Sequence, residues 1–221
     1  MSECQRFHQI DEFCKNCQTK EMTNAPPDFE SVDPRQQAIL DAAWHVFAAY
    51  GVRKTSMDDI AQRAGMSRPA LYVHYRNKND IFRSLVQIYY DTAVAAVTAG
   101  LNGDGSIHDR IERAFLAQGG DTAEAMLTSP HGREILEDGS AAAADIIATG
   151  ETRLTAVYAD WLTREAGRKS LRLTGGAGDI AATITAALKG IKSTAPDYPT
   201  YRRQVIELAR LCGAALHPLT R

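Results

Sequence analysis

Residues 55–80 read TSMDDIAQRAGMSRPALYVHYRNKND, and the rest of the chain is organised around them. Ser56 has the side chain of an N-cap. Asp58 and Asp59 fall in the first turn that follows, where the helix macrodipole favours negative charge. Met57, Ile60, Ala61 and Ala64 give that helix an apolar side, and Gly65 is placed to end it in the left-handed conformation. Ser67 can cap a second helix, Pro69 lies near its start where a missing N–H costs nothing, and Asn77 closes it. Two helices joined by a turn of about three residues with a glycine form a helix-turn-helix, an arrangement whose second helix enters the major groove of DNA.

Upstream, Asp33 and Pro34 read as the N-cap and first residue of another helix. Positions 39, 43, 46, 47 and 50 are apolar at i, i+3/i+4 spacing, and Gly51 stops the helix. This helix braces the other two; Trp44 and Phe47 pack, and His45 faces solvent. Downstream of Asn79, an apolar stripe from Ile81 through Phe82, Leu85, Ile88, Tyr89 and Ala96 makes a helix of more than five turns that must join head to body.

The run from Gln37 to Leu85 resembles the DNA-binding head of the tetracycline-repressor (TetR) family of bacterial regulators. The residues that carry the likeness are AILDAAWHVFAAYGVRKTSMDDIAQRAGMSRPALYVHYRNKNDIF, with a Thr, then I-A-x-x-A-G, then L-Y-x-H-Y and a Lys that opens the long helix. The resemblance implies an all-α protein with an N-terminal three-helix DNA-binding head (34–80) and a helical effector-binding and dimerisation body (81–221). It implies a homodimeric regulator, a repressor, released from a palindromic double-stranded DNA operator by a small-molecule effector. Carried over residue by residue, Thr55 and Ser56 would offer a hydroxyl and free N–H groups to a phosphate, and Ser67, Tyr72 and Lys78 would grip phosphates across the groove. Arg68, Pro69, Ala70 and Val73 would face base edges, with Arg68 able to read guanine bidentately, and His74 would touch backbone or base. Where the family often has a second aromatic this chain has Val73, and where it often has Gly this chain has Pro69.

The net charge of −2 over 221 residues looks wrong for a DNA binder until it is divided along the chain. Residues 34–80 carry seven Lys/Arg against four Asp/Glu, residues 1–33 three against seven, and residues 81–221 fifteen against sixteen. The positive excess therefore sits in the head, as phosphate contact requires. A composition of 44% hydrophobic and 24% charged residues is that of an ordinary globular chain. No apolar run approaches the ~18 residues of a membrane span and the polar N-terminus lacks a secretory core, so the cytoplasm is the expected compartment.

Residues 1–33 read as a flexible or accessory arm ending in the Pro-rich NAPPDFESVDP. Cys4, His8, Cys14 and Cys17 have the ligand types of a zinc site without a second paired half, which leaves a metal- or redox-sensing regulator as the alternative reading. The arm can equally form a short helix with Phe7, Ile10, Phe13, Cys14 and Cys17 on one side, or the natural start can be Met22. Cys212 reads as a small buried hydrophobe.

In the body, Ile107–Gln118 makes a helix that Gly119-Gly120 breaks, and Asp121 caps a short segment to Thr128. Pro130 opens another segment, a long run reaches Glu165, and helices recur over Asp179–Ser193 and Tyr201–Leu216, for nine or ten in all. The stripes of the last two (Ile184, Leu188, Ile191, Val205, Leu208 and Leu211) are expected to cover a second copy. Tyr89, Phe115, Met126, Tyr158 and Trp161 are expected to line a pocket for an apolar or aromatic effector, because the middle helices offer few clustered charges. No catalytic constellation or cofactor is expected: Gly175–Gly178 lacks the strand and the Lys-Ser/Thr of a phosphate loop. His131, Glu134, Glu137 and Asp138 read as a solvated helix end rather than a metal site.

Overall fold

The computed structural model describes residues 33–132, 135 and 141–216, and every regular element among them is helical. The helices are α1 (Pro34–Tyr50), α2 (Met57–Arg63), α3 (Arg68–His74), α4 (Lys78–Asn102), α5 (Ile107–Thr128), α6 (Ala144–Gly167), α7 (Ala177–Thr194) and α8 (Tyr198–Leu216). The Cys4/His8/Cys14/Cys17 arm, Glu134, Glu137 and Asp138 lie outside the described residues.

The head follows its local signals closely. Asp33 caps α1 by accepting from the Arg35 N–H, and Gly51 ends it at φ 80°. Ile39, Ala43, Val46 and Phe47 are buried, as their spacing requires, and His45 is exposed. Gly65 turns the chain between α2 and α3 at φ 67°, a conformation that costs any residue with a Cβ. The Met66 N–H returns there to the Ala61 carbonyl, closing the helix end. Asn77 does not close α3: Tyr75 does, and Asn77 caps α4 by accepting from the Asp80 N–H. The first turn of α4 completes the head core, with Ile81 and Phe82 buried and the Phe82 ring edge-on to Phe47 at 6.0 Å.

The body core gathers Tyr90, Val97 and Leu101 of α4, Ile111 and Phe115 of α5, Leu154, Tyr158 and Trp161 of α6, Leu188 of α7, and Tyr201 and Val205 of α8. Each such side chain stabilises the fold by about 1.5–3 kcal/mol through burial. Helices α4 and α6 run parallel, tied by Arg83 to Asp145 (2.6 and 2.7 Å), Arg153 to Asp91, and Arg164 to Asn102 (2.8 Å). Every one of these pairs is 62 residues apart. The steps of 8 and 11 residues along each helix are close to two and three turns, which keeps all three ties on one face.

One expected break is present and one expected boundary differs. Gly119-Gly120 interrupts α5 as expected: Gly120 at φ 51°, ψ −156° is non-helical and divides α5 into two helical stretches across a kink. Helix α8 starts at Tyr198 rather than Tyr201, since Pro199 falls in the first turn where it is tolerated.

The expected dimer stripes are largely inside the chain's own core. Ile184, Leu188 and Val205 are buried within the single chain, and Ile191 and Leu208 pack partly on the same core. Of the six residues only Leu211 is exposed, at 62%. An amphipathic helix must first cover its own neighbours, and helical periodicity does not say whose core it fills.

Candidate nucleic-acid interface and body cleft

Helix α3 separates its two faces cleanly. Leu71 and Tyr75 are buried, while Arg68, Pro69, Ala70, Tyr72 (42%) and Val73 (82%) are exposed, and His74 is half-buried. Ser67 caps the helix through Ala70 N–H at 3.4 Å and stays exposed. A valine so open on a short, capped helix has no packing role in the single chain.

Arg68 is engaged in the free chain. Its guanidinium pairs with Asp58 of α2 at 3.0 Å, lies 3.5 Å from the Tyr72 hydroxyl, and sits 5.6 Å from the centre of the Tyr72 ring. Both Arg68 and Asp58 are more than half exposed, so the pair is worth little and is easily exchanged for a base or phosphate.

Three residues expected at phosphates have partners within the chain. Thr55 is 2% exposed and its hydroxyl donates to the Gly51 carbonyl at 2.8 Å, so that hydroxyl is not offered outward. Ser56 and Asp59 form a capping box: the Asp59 carboxylate accepts from the Ser56 N–H and hydroxyl, and the Ser56 hydroxyl accepts from the Asp59 N–H. The Ser56 hydroxyl and N–H are therefore spent within the box. Lys78 is neither a free phosphate hand nor a solvated lysine, for its ammonium donates to the Arg53 and Thr55 carbonyls at 2.8 Å each. It braces the loop that sets α2, and one N–H remains.

In the body, a cleft of about 30 Å³ opens where α4 to α8 meet beside the α5 kink. Tyr89 and Phe115 line it as expected, whereas Met126, Tyr158 and Trp161 do not reach its wall. Tyr158 and Trp161 fill the core instead, Tyr158 edge-on to Phe115 and Trp161 beneath the Arg110 guanidinium. The expectation of few charges also fails, because Glu151, Lys189 and Lys192 converge on the cleft from α6 and α7. Lys189 pairs with Glu151 at 2.6 Å. The Lys192 ammonium donates to the Tyr89 hydroxyl at 2.9 Å and lies 4.6 Å from that ring's centre, and Tyr89 in turn donates to the Gln118 carbonyl at 3.1 Å. Tyr158 donates to the Gln118 side chain at 2.9 Å, and burial pushes the Tyr158 and Tyr201 hydroxyls above the usual phenol range. Lys192 carried a readable signal: it continues the inward row Ala181, Thr185, Leu188 by helical spacing, where an apolar residue is the rule. Gln118, Glu151 and Tyr201 had none.

Further along α6, Glu165 is 3% exposed and holds Arg110 (3.2 Å), Arg168 (3.1 Å) and Ser170 (2.7 Å). Cys212 is half-buried against the same core, and burial pushes its thiol up. Among the described residues no cluster of His, Cys, Asp and Glu has the makings of a metal site, and no helix is long and apolar enough to cross a membrane.

Residues 39–85 match the family described as bacterial regulatory proteins, tetR family. The HTH-type transcriptional activator FasR of Mycolicibacterium smegmatis is 34% identical over 85 residues, which are 38% of this chain and 39% of that protein. The chain thus spans about two fifths of the length of the first curated relatives it matches. Two solved structures share the fold over most of the chain. A transcriptional regulator from Cytophaga hutchinsonii matches 84% of this chain and 100% of its own at a TM-score of 0.69 and 16% identity. SmeT, the repressor of the Stenotrophomonas maltophilia multidrug efflux pump SmeDEF, matches 83% of this chain and 91% of its own at 0.66 and 19%.

Proposed function

We propose that this chain, which belongs to the tetR family of bacterial regulatory proteins, is a DNA-binding transcriptional regulator that acts as a repressor. The observation that carries the reading is α3, a capped helix with Leu71 and Tyr75 inward and Arg68, Pro69, Ala70 and Val73 outward. In this reading residues 34–80 are the head and 81–221 the body, though the first turn of α4 packs with the head. Arg68 leaves Asp58 to read a guanine, and Pro69, Ala70 and Val73 offer apolar contact to thymine methyls. Ser67, Tyr72 and the remaining N–H of Lys78 meet phosphates, and His74 touches the backbone nearby. Thr55 and Ser56 shape the start of α2 and do not bind.

The chain works as a homodimer on a palindromic operator, its two α3 helices about 34–36 Å apart or a multiple of that. The outer faces of α7 and α8 support the dimer: Ala182, Ala186, Leu211, Ala214 and Ala215 are exposed, small or apolar, and unneeded by the chain's own core. A small-molecule effector with an aromatic body enters the cleft, touches α4 through Tyr89 and Tyr90, and releases the operator; tenfold release needs ~1.4 kcal/mol of coupling. FasR bears an activator's name, but its match covers only 38% of this chain, so its sense of regulation stays with that protein.

The test is a gel shift of the full chain on the DNA upstream of its own coding sequence, titrated with salt. Specific, salt-dependent binding by dimers is expected. Equal affinity for operator-region and scrambled DNA would overturn the reading.

A further inference from the structure

The cleft's lining holds one carboxylate and two ammonium groups, and the carboxylate is already committed. Glu151 pairs with Lys189, which leaves Lys192 as the charge without an acidic partner among the described residues. Its ammonium rests on a phenol: it donates to the Tyr89 hydroxyl and lies over that ring. A neutral hydroxyl accepts a hydrogen bond from an ammonium but, unlike a carboxylate, does not neutralise its charge. The side chain is half-buried, so solvent only partly makes up the difference.

Around it the wall is aromatic and neutral: Tyr89, Tyr90, Phe115 and Tyr201. Lys192 already holds the position at Tyr89 that a cationic ligand would seek, while Lys189 and Glu151 neutralise each other. The lining is left with the single positive charge of Lys192.

From this cluster we infer that the effector is an organic anion, an aromatic or amphipathic carboxylate whose acid group is received by Lys192 and whose body lies among the tyrosines and Phe115. The inference rests on the reading of the cleft as an effector site and names the chemistry of what enters. At about 30 Å³ the cleft holds no more than a water, so the ligand enters by drawing Lys192 off Tyr89 and spreading α5 at the Gly120 kink. Once Lys192 turns to the acid, the Tyr89 hydroxyl keeps its bond to the Gln118 carbonyl but loses its cation, which couples the ligand's charge to α4.

The experiment uses the full chain and matched probes: 2-naphthoate against 2-naphthamide, 4-phenylbutyrate against its amide, and benzyltrimethylammonium. Dissociation constants come from titration followed by thermal shift, in wild type, Lys192→Met and Lys192→Arg. The acids should bind wild type about tenfold tighter than their amides, the gain of one charge-assisted contact. Lys192→Met should erase that preference and Lys192→Arg restore it. Equal binding of acid and amide to wild type overturns the inference, as does tighter binding of the ammonium probe or an acid preference that survives in Lys192→Met. If Lys192→Met does not fold, the acid–amide comparison in wild type and Lys192→Arg decides alone. Operator release is read separately by gel shift: an acid that binds through Lys192 without changing operator affinity upholds this inference and overturns the switch proposed above.

Discussion

In the head, the side chains proposed to read bases sit on one seven-residue helix whose cap, stop and inward residues all lie within ten positions. In the body, the cleft takes residues from five helices spread between Tyr89 and Tyr201. The head's outward residues cost the fold nothing, because Leu71 and Tyr75 already anchor α3. The body's cleft residues are braced by one another, Lys192 on Tyr89, Tyr89 on Gln118, Tyr158 on Gln118. Substitutions should therefore separate the two regions, with body changes striking stability and head changes striking DNA.

The sharpest break is within α8. Val205→Glu puts an unpaired charge at a fully buried site and should cost on the order of 4 kcal/mol or more, enough to abolish cooperative melting. Leu211→Glu, on the exposed outer face, should melt like wild type as a folded monomer yet sediment with half the mass and lose the operator. A Leu211→Glu chain that stays dimeric places the interface elsewhere.

Next is Glu165. Burial alone would raise its pKa, but hydrogen bonds from Ser170 and Arg110 and the charges of Arg110 and Arg168 hold it below the ordinary glutamate value. Its contribution is thus complete above its unfolded pKa, near 4.5, and is lost as pH falls through the lower folded value. Glu165→Ala, which strands Arg110, should cost about 3 kcal/mol by urea melts at pH 7. Glu165→Gln should flatten the loss of stability below pH 4.5 that wild type shows. An unchanged acid profile would remove Glu165 from the account.

Arg68→Ala should leave the melting temperature alone and relax preference at one symmetric pair of operator positions, costing ~1–3 kcal/mol per contact. Binding-site selection that returns the wild-type consensus would strike Arg68 from the readers. Lys78→Ala is the smallest and the one head change expected to cross the divide. Losing its two carbonyl bonds should lower stability by about 1–2 kcal/mol. A slope of log K against log salt lower by about 1 per protomer would put its third N–H on a phosphate, and an unchanged slope would make it a brace alone.

The same contrast governs what could be read in advance. The order Ser56, Gly65, Ser67, Leu71 is a local code, since each cap and stop is decided by neighbours three or four positions away. What escaped there was Asp58 reaching Arg68 across the turn and Lys78 reaching back to Arg53 and Thr55, because which hydrogen bond a long side chain makes is a tertiary fact. In the body, helix positions were legible from apolar spacing, but periodicity could not distinguish Leu188 against its own core from Leu188 against a partner. Of the cleft's charges Lys192 was legible, but Glu151 and Lys189 are ordinary surface letters until α6 and α7 bring them together.

The three ties between α4 and α6 have a mechanical meaning. At 1.5 Å per residue, the 25 residues of α4 make a beam about 37 Å long, and Tyr89 lies about 17 Å from its head end. Rungs at one constant offset disfavour sliding of the two helices past each other, since a slip of one turn would break all three together, although each exposed rung is individually weak. Bending is likewise resisted, so a push at Tyr89 is delivered as rotation of the pair. A tilt of ~5° there sweeps the first turn of α4, and the head packed on it, through about 1.5 Å, about three times the ~0.5 Å tolerance of a working contact constellation.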